Sequence, residues 1–198
     1  MAGPKDEHAP ALAALGVPAG AIPALCLYLE QVARWNVRTN LTGAVSTQER
    51  VSVLVADPWR AIPHIADGRL IDVGSGNGSP GLVLALLRAD LNVVLLEPRA
   101  RRWAFLREVV RELGRADIEV ERCRSEEYGG PPAATITVRA VGISVGRLAP
   151  LVTEGGEVLQ FGGQPAGIPP LVPVGTHRLQ SLDLHVFRRP APNVSRET

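Results

Sequence analysis

With 198 residues, 45% of them apolar, and a formal net charge of +1, the chain can bury one core, and no whole-molecule attraction to a polyanion is expected, so any nucleic-acid site must be a local patch. The apolar run Leu82 to Leu87 stops at Arg88, far short of the roughly 20 residues a membrane span needs, and the opening Met1-Ala-Gly-Pro-Lys-Asp-Glu-His has no apolar segment of the secretory kind. Cys26 and Cys123 are the only cysteines and lack metal-ligand spacing, so neither a disulfide framework nor a zinc cluster is expected, and the chain reads as cytoplasmic, with no membrane and no metal.

Ala9 to Leu15 is predicted as a short helix ended by Gly16-Val17-Pro18. Ala21 to about Trp35 is a second, because Ile22, Leu25, Leu29 and Val32 recur at helical spacing. Asn36 to Asn40 break that pattern. A third helix, Thr47 to Val55, starts at Ser46 or Thr47 with Glu49 in its first turn, and Asp57-Pro58 closes or kinks it.

From Arg69 onward strands and helices alternate, which predicts right-handed crossovers and a mainly parallel sheet. Strands are expected at Leu70 to Val73, Asn92 to Leu96, Ile118 to Arg122, Thr135 to Arg139 and Glu157 to Phe161. Helices are expected from Gly81 to about Arg88, from Arg99 to Leu113 and around Val145 to Val152, with Gly155-Gly156 turning the chain into the fifth strand. Gly162 to Gly175 reads as a loop. His177 to Arg188 has two extended runs either side of Gln180 to Asp183, an antiparallel hairpin at the sheet edge. The class is therefore α/β, with an N-terminal helical extension (1–66), a sheet-based core (67–190) and a loose tail (191–198).

The segment Arg69-Leu-Ile-Asp-Val-Gly-Ser-Gly-Asn-Gly-Ser-Pro-Gly81 carries the chemistry. A strand ends on an acid, then glycines allow left-handed backbone and close approach to a ligand. Gly76, Gly78 and Gly81 satisfy the dinucleotide pattern, and Glu97 lies about twenty residues on, as that reading requires. Three features favour S-adenosylmethionine instead: Asp72 before the glycines, the extra Gly74, and a chain too short for a second catalytic domain. On that reading Glu97 accepts hydrogen bonds from both ribose hydroxyls. Asp72 and the loop Gly74, Ser75, Gly76 and Gly78 hold the methionine portion. Arg124-Ser125-Glu126-Glu127, after the third strand, falls where adenine is contacted or is a polar surface loop.

Trp35-Asn36-Val37-Arg38-Thr39-Asn40-Leu41-Thr42, Ile71 to Gly81, Arg101-Arg102 before Phe105-Leu106, Arg124 to Glu127, and Arg139-Ala140 occur in order between Trp35 and Gly163. Together they resemble the glucose-inhibited division protein B family. The resemblance implies a Rossmann-like, S-adenosylmethionine-dependent methyltransferase fold with a seven-stranded sheet, acting on N7 of a guanine in 16S rRNA of the small ribosomal subunit. It puts Asn40 and Arg139 on the catalytic, substrate side, and a monomer is expected. It puts Asp72, Gly74, Ser75, Gly76, Gly78, Glu97, Ser125, Glu126 and a share of Arg139 on the cofactor side. The chain departs from the family pattern at Leu54, Pro58, Ser79 and Gly162, where a His, a Ser, a bulky residue and a Lys are usual. A diverged methyltransferase for another acceptor, or a non-catalytic cofactor- or RNA-binding module, are the alternatives.

Guanine N7 has an in-plane lone pair, so no general base is required; catalysis comes from in-line positioning with water excluded. Arg139 then grips O6 alone or a phosphate, because a bidentate contact to O6 and N7 would occupy the reacting lone pair; an ion pair with Glu126 or Glu127 is the competing role. Arg99, Arg101, Arg102, Arg107, Arg111 and Arg115 form either a phosphate-contacting face or a solvated one interleaved with Glu108 and Glu112. His177 and His185 read as structural.

Overall fold

A computed structural model describes residues 7–139 and 142–191. Ala140, the first six residues and most of the predicted loose tail (192–198) lie outside the described residues.

Helices α1 (Ala9–Ala14), α2 (Ile22–Thr39), α3 (Thr47–Val51) and α4 (Asp57–Ala61) precede the sheet. The α3 start carries a capping box, with the Ser46 hydroxyl accepting from the Glu49 amide and the Glu49 carboxylate accepting from the Ser46 amide. Asp57-Pro58 does not end this helical run; it continues through a π turn, Ser52–Ala56, into α4. Pro58 sits in the first turn of α4, where its missing N–H costs nothing. Helix α2 likewise outruns its apolar stripe. Its last turn, Asn36 to Thr39, stays helical and ends at Asn40, which takes a left-handed φ of 48°.

The core alternates β1 (Arg69–Val73), α5 (Gly81–Leu87), β2 (Asn92–Leu96), α6 (Ala100–Glu112), β3 (Glu119–Glu121), β4 (Ala133–Arg139), β5 (Val152–Phe161), β6 (Val172–Arg178) and β7 (Asp183–Arg188). The seven strands lie in the order β3-β2-β1-β4-β5-β7-β6. β1 to β5 pair in parallel, and the C-terminal hairpin adds antiparallel β7 against β5 and β6 against β7. The expected turn at Gly155-Gly156 lies inside β5, which begins at Val152; the irregularity appears as a register shift opposite Ala133 and Thr135. The segment 145–151 is 3₁₀ rather than α, with Pro150 inside it.

Strand alternation divides the core. Leu70 faces the α2, α5 and α6 side with Leu29, Leu82 and Phe105, whereas Ile71 and Val73 face the other side with Val94, Ile136 and Leu148. By the same alternation Asp72 points with Leu70 under α5. It fits there only because residue 81 is glycine: a Cβ at Gly81 would lie 2.3 Å from Asp72 Cβ. The carboxyl ends of β1 and β4 flank the point where the order reverses, the place where open α/β sheets bind ligands.

Candidate active site

The loop after β1 turns on Gly74, Gly76 and Gly78, all at positive φ (71°, 53° and 93°). Its floor is tied to β2 by the Gly74 and Ser75 amides, which both donate to the Leu96 carbonyl at 2.9 and 3.0 Å. Its outer bend is held by the N-terminal helices. The buried Tyr28 hydroxyl donates to the Asn77 carbonyl at 2.9 Å, and the Asn77 amide donates to the Leu41 carbonyl at 3.1 Å. Burial pushes the Tyr28 phenol upward, so it remains a donor. Gly78 is the second position where a side chain fails, since its φ is left-handed and a Cβ would press on Tyr28 and Leu82 at 3.1 and 3.2 Å.

The loop forms one wall of a cleft of about 720 Å³ lined by Leu41, Ser75, Glu97, Arg102, Arg124 and Arg139 among others. Glu97 is 3% exposed. One oxygen accepts from the Gly76 amide at 2.9 Å and the other from the Arg99 amide at 2.7 Å. Each oxygen keeps a lone pair, so the carboxylate is aimed by backbone and still able to accept. A second recess of about 310 Å³ shares Gly74, Pro98, Arg124 and Gly142 with the cleft and is walled by Leu96, Ser125, Glu126 and Ile143. The Ser125 hydroxyl donates to Glu126 at 3.0 Å, and that bond with the Glu126 backbone holds the Glu126 carboxyl below its usual range.

Arg139 stands across the cleft from Glu97. Its guanidinium donates to the Ser79 hydroxyl at 3.1 Å and lies 3.9 Å from Asp57. The Ser79 hydroxyl donates onward to the Leu54 carbonyl at 2.7 Å. Asp57 is fully buried and accepts from both the amide and the hydroxyl of Ser181. The ion pair expected with Glu126 or Glu127 is not the one formed; Glu126 lies 3.9 Å from Arg147 instead. Thus the Leu54 carbonyl, Ser79 and Asp57 gather behind Arg139. Gly162 lies on the far side, in a recess of about 630 Å³ that also includes Arg139 and Gln160.

Two expected site residues stand elsewhere. Asp72 does not line the cleft: it is 1% exposed, beneath the loop, with one carboxylate oxygen accepting from the Thr137 hydroxyl at 2.6 Å and its carbonyl accepting from Ser75. Its place under α5 follows from strand alternation, so its contribution is to the loop's support. Burial, partly offset by the Thr137 hydroxyl, pushes its carboxyl up to about 6. Asn40 is exposed and its neighbour Leu41 meets the cleft. The organiser of that turn is Asn36, whose side chain accepts from the Leu41 and Thr42 amides at 2.6 and 2.9 Å and donates to the Thr42 carbonyl at 2.8 Å. Position i accepting from i+5 and i+6 is a helix-end motif visible in sequence only as an Asn in the last turn.

Sheet order, glycine loop at the reversal point, and a backbone-aimed acid at the end of β2 make a Rossmann-like nucleotide-cofactor site, and with antiparallel β7 inserted at the sheet edge they fit a methyltransferase of the S-adenosylmethionine-dependent class. The cleft fits that donor: a buried, lone-pair-bearing Glu97 suits a ribose diol, and 720 Å³ suits a nucleoside-sized ligand. Residues 21–167 match the model of the GidB family, rRNA small subunit methyltransferase G, and the chain belongs to that family. It is 37% identical over 153 residues to ribosomal RNA small subunit methyltransferase G of Stenotrophomonas maltophilia (strain K279a), covering 77% of this chain and 70% of that one. It is 33% identical over 154 residues to the protein of that name from Methylobacillus flagellatus, covering 76% and 75%. In fold it is similar to an RNA methyltransferase from Salinibacter ruber in complex with S-adenosyl-L-homocysteine (TM-score 0.52, 19% identity, covering 80% of this chain and 90% of that one). It is likewise similar to a SAM-dependent methyltransferase from Aquifex aeolicus (TM-score 0.53, 11% identity, covering 70% and 91%).

No helix among the described residues is long and apolar enough to cross a membrane. Nor do the described residues group three or more His, Cys, Asp or Glu side chains able to hold a metal ion.

Proposed function

We propose that this protein methylates N7 of a guanine in 16S rRNA, acting as a cytoplasmic monomer on the small ribosomal subunit or its RNA. The observation that carries the reading is one cleft with Glu97 on one wall, Arg139 on the other and the glycine loop between them. Glu97 holds the ribose, the loop from Gly74 to Gly78 holds the methionine end, and Ser125 and Glu126 border adenine. The division into a helical extension (1–66) and a methyltransferase core (67–190) is part of the same reading, as is Asn40 on the substrate side through the turn it terminates.

When bound, S-adenosylmethionine supplies an electrophilic sulfonium methyl. The chain's residues then have to orient the acceptor and exclude water, because a neutral aromatic nitrogen needs no deprotonation. Arg139 is suited to this. Asp57 and Ser79 fix its guanidinium, leaving its outward edge to donate to guanine O6 or to a phosphate while N7 stays free for the methyl.

Tritium-labelled donor incubated with 30S particles from a strain lacking the modification tests the reading, with cleavage at N7-methylguanine locating the product. Label appears in 16S rRNA at one guanine if the reading holds. The grouping of Leu54 and Ser79 behind Arg139 favours a second reading, a diverged methyltransferase for a different acceptor. Label transferred elsewhere, with none on 16S rRNA, supports that one, and donor binding without any turnover supports a non-catalytic module.

A further inference from the structure

The arginines on and flanking α6 have different surroundings. Arg115 is locked by Asp117 at 2.7 Å and donates to the Ala85 carbonyl, Arg107 lies 5.0 Å over the Trp103 ring, and Arg111 is 3.9 Å from Glu112. Arg99 and Arg102 line the cleft. Arg101 turns the other way, toward α2, where it meets Arg34 and Arg38 across a groove of about 870 Å³. All three are exposed, and among the described residues no ion pair or hydrogen bond occupies their guanidiniums. Glu108 also lines the groove.

Arg34 and Arg38 stand one helical turn apart on the same face of α2. Trp35 and Val37 complete that wall. Val37 is 85% exposed, an apolar side chain left in water beside three cations. Trp35 is half-buried, its ring edge-on to Phe105 at 5.8 Å. Cations interleaved with an aromatic edge suit a single nucleic-acid strand, whose phosphates pair with guanidiniums and whose bases lie on apolar surface. Leu41, two residues past the end of α2, and Arg102, next to Arg101, line the cleft, so the elements that form the groove also border the cleft.

We propose that the α2–α6 groove is the track for the RNA strand leading away from the acceptor nucleotide, with Arg34, Arg38 and Arg101 on its phosphates. This rests on the rRNA reading above. The chain's charge is nearly balanced overall, at +1, so the polyanion is held here by local concentration of charge.

The test compares two full-length triple variants with wild type: Arg34→Ala/Arg38→Ala/Arg101→Ala, and Arg107→Ala/Arg111→Ala/Arg178→Ala, which removes equal charge elsewhere. Binding of unmodified 16S rRNA is measured across a salt series. Loss of three phosphate contacts on a single strand lowers the salt slope by about 2. That fall is expected for the groove variant alone, with KM for rRNA raised at least about tenfold, near 1.4 kcal/mol, and donor affinity unchanged. The triple Arg→Lys variant restores the slope, because a lysine keeps the charge. Equal slopes for both alanine triples, or an unchanged slope in the groove variant, overturn the inference. Salt-dependent binding is read without turnover. A wild-type protein that transfers no methyl to 16S rRNA therefore defeats the functional reading separately from the groove.

Discussion

The two walls of the cleft are made differently. The donor wall is made largely of backbone: β1, the glycine loop and α5 run within Arg69 to Leu87, Glu97 is aimed by two main-chain amides, and Tyr28 braces the loop through a main-chain carbonyl. The acceptor wall is built by side chains from distant segments. Arg139 meets Ser79 and Asp57, and Asp57 is held by Ser181, 124 residues further along. A backbone-made wall tolerates sequence change around it, whereas a side-chain wall changes with each of its members. The Leu54 carbonyl and Ser79 both belong to the second wall.

The largest effect expected from this contrast falls on the donor wall. Glu97→Ala removes a buried carboxylate that serves two backbone donors and the ribose site. Two charged hydrogen bonds to the donor are worth about 4 kcal/mol together, near 1,000-fold in affinity. Calorimetry with S-adenosylmethionine reads this directly, and equal affinities for variant and wild type would end the ribose assignment.

Asp72 gives the next effect, on stability. Its carboxyl is pushed up to about 6 by burial, so the folded chain holds the proton more tightly than the unfolded one, whose aspartates titrate near 3.9. The unfolded state therefore gains on the folded state as pH rises through that window, and stability is lost, by about 3 kcal/mol between pH 3 and pH 7. Asp72→Asn lacks this term, so denaturant unfolding of wild type and variant should diverge with pH across that range. Parallel curves would show that Asp72 is not buried as described.

On the other wall, Arg139→Ala should spare donor affinity and reduce methyl transfer on the order of 100-fold, the scale of a misplaced acceptor. Loss of donor binding in this variant would erase the distinction between the walls.

The same contrast explains what the sequence made legible. The strands, the edge hairpin, the Ser46–Glu49 cap and the glycine loop depend on near neighbours, and all are found close to where periodicity and turn chemistry put them. Glu97 is legible because its distance from the loop follows from one strand–helix–strand unit. Asn36 is not, since its partners are backbone groups of a turn whose shape depends on where α2 stops. The place of Asp72 in the motif points its carboxylate at ligand; only the packing of Gly81 against it shows that it faces inward. The partners of Arg139 lie 60 and 82 residues away in sequence, on elements brought together by α4 and α5 packing, and no local pattern encodes that.

Asp57 supplies the finest test. It does not line the cleft, is fully buried behind the acceptor wall, and reaches the site through Arg139. Asp57→Asn keeps the volume and an oxygen able to accept from the Ser181 amide, while removing the charge that draws the guanidinium back. The pair is loose, at 3.9 Å, so the loss is smaller than deleting the arginine. Transfer should fall about tenfold, near 1.4 kcal/mol, through kcat, with donor affinity and the salt slope for RNA unchanged. A purely structural role predicts instead a lowered melting temperature with normal kcat in the folded fraction. Arg139→Lys separates the two further: a lysine cannot reach Ser79 and Asp57 with a planar fork, so Asp57→Asn in that background should cost little more. Additive losses in the double variant would mean that Asp57 acts by a route other than Arg139.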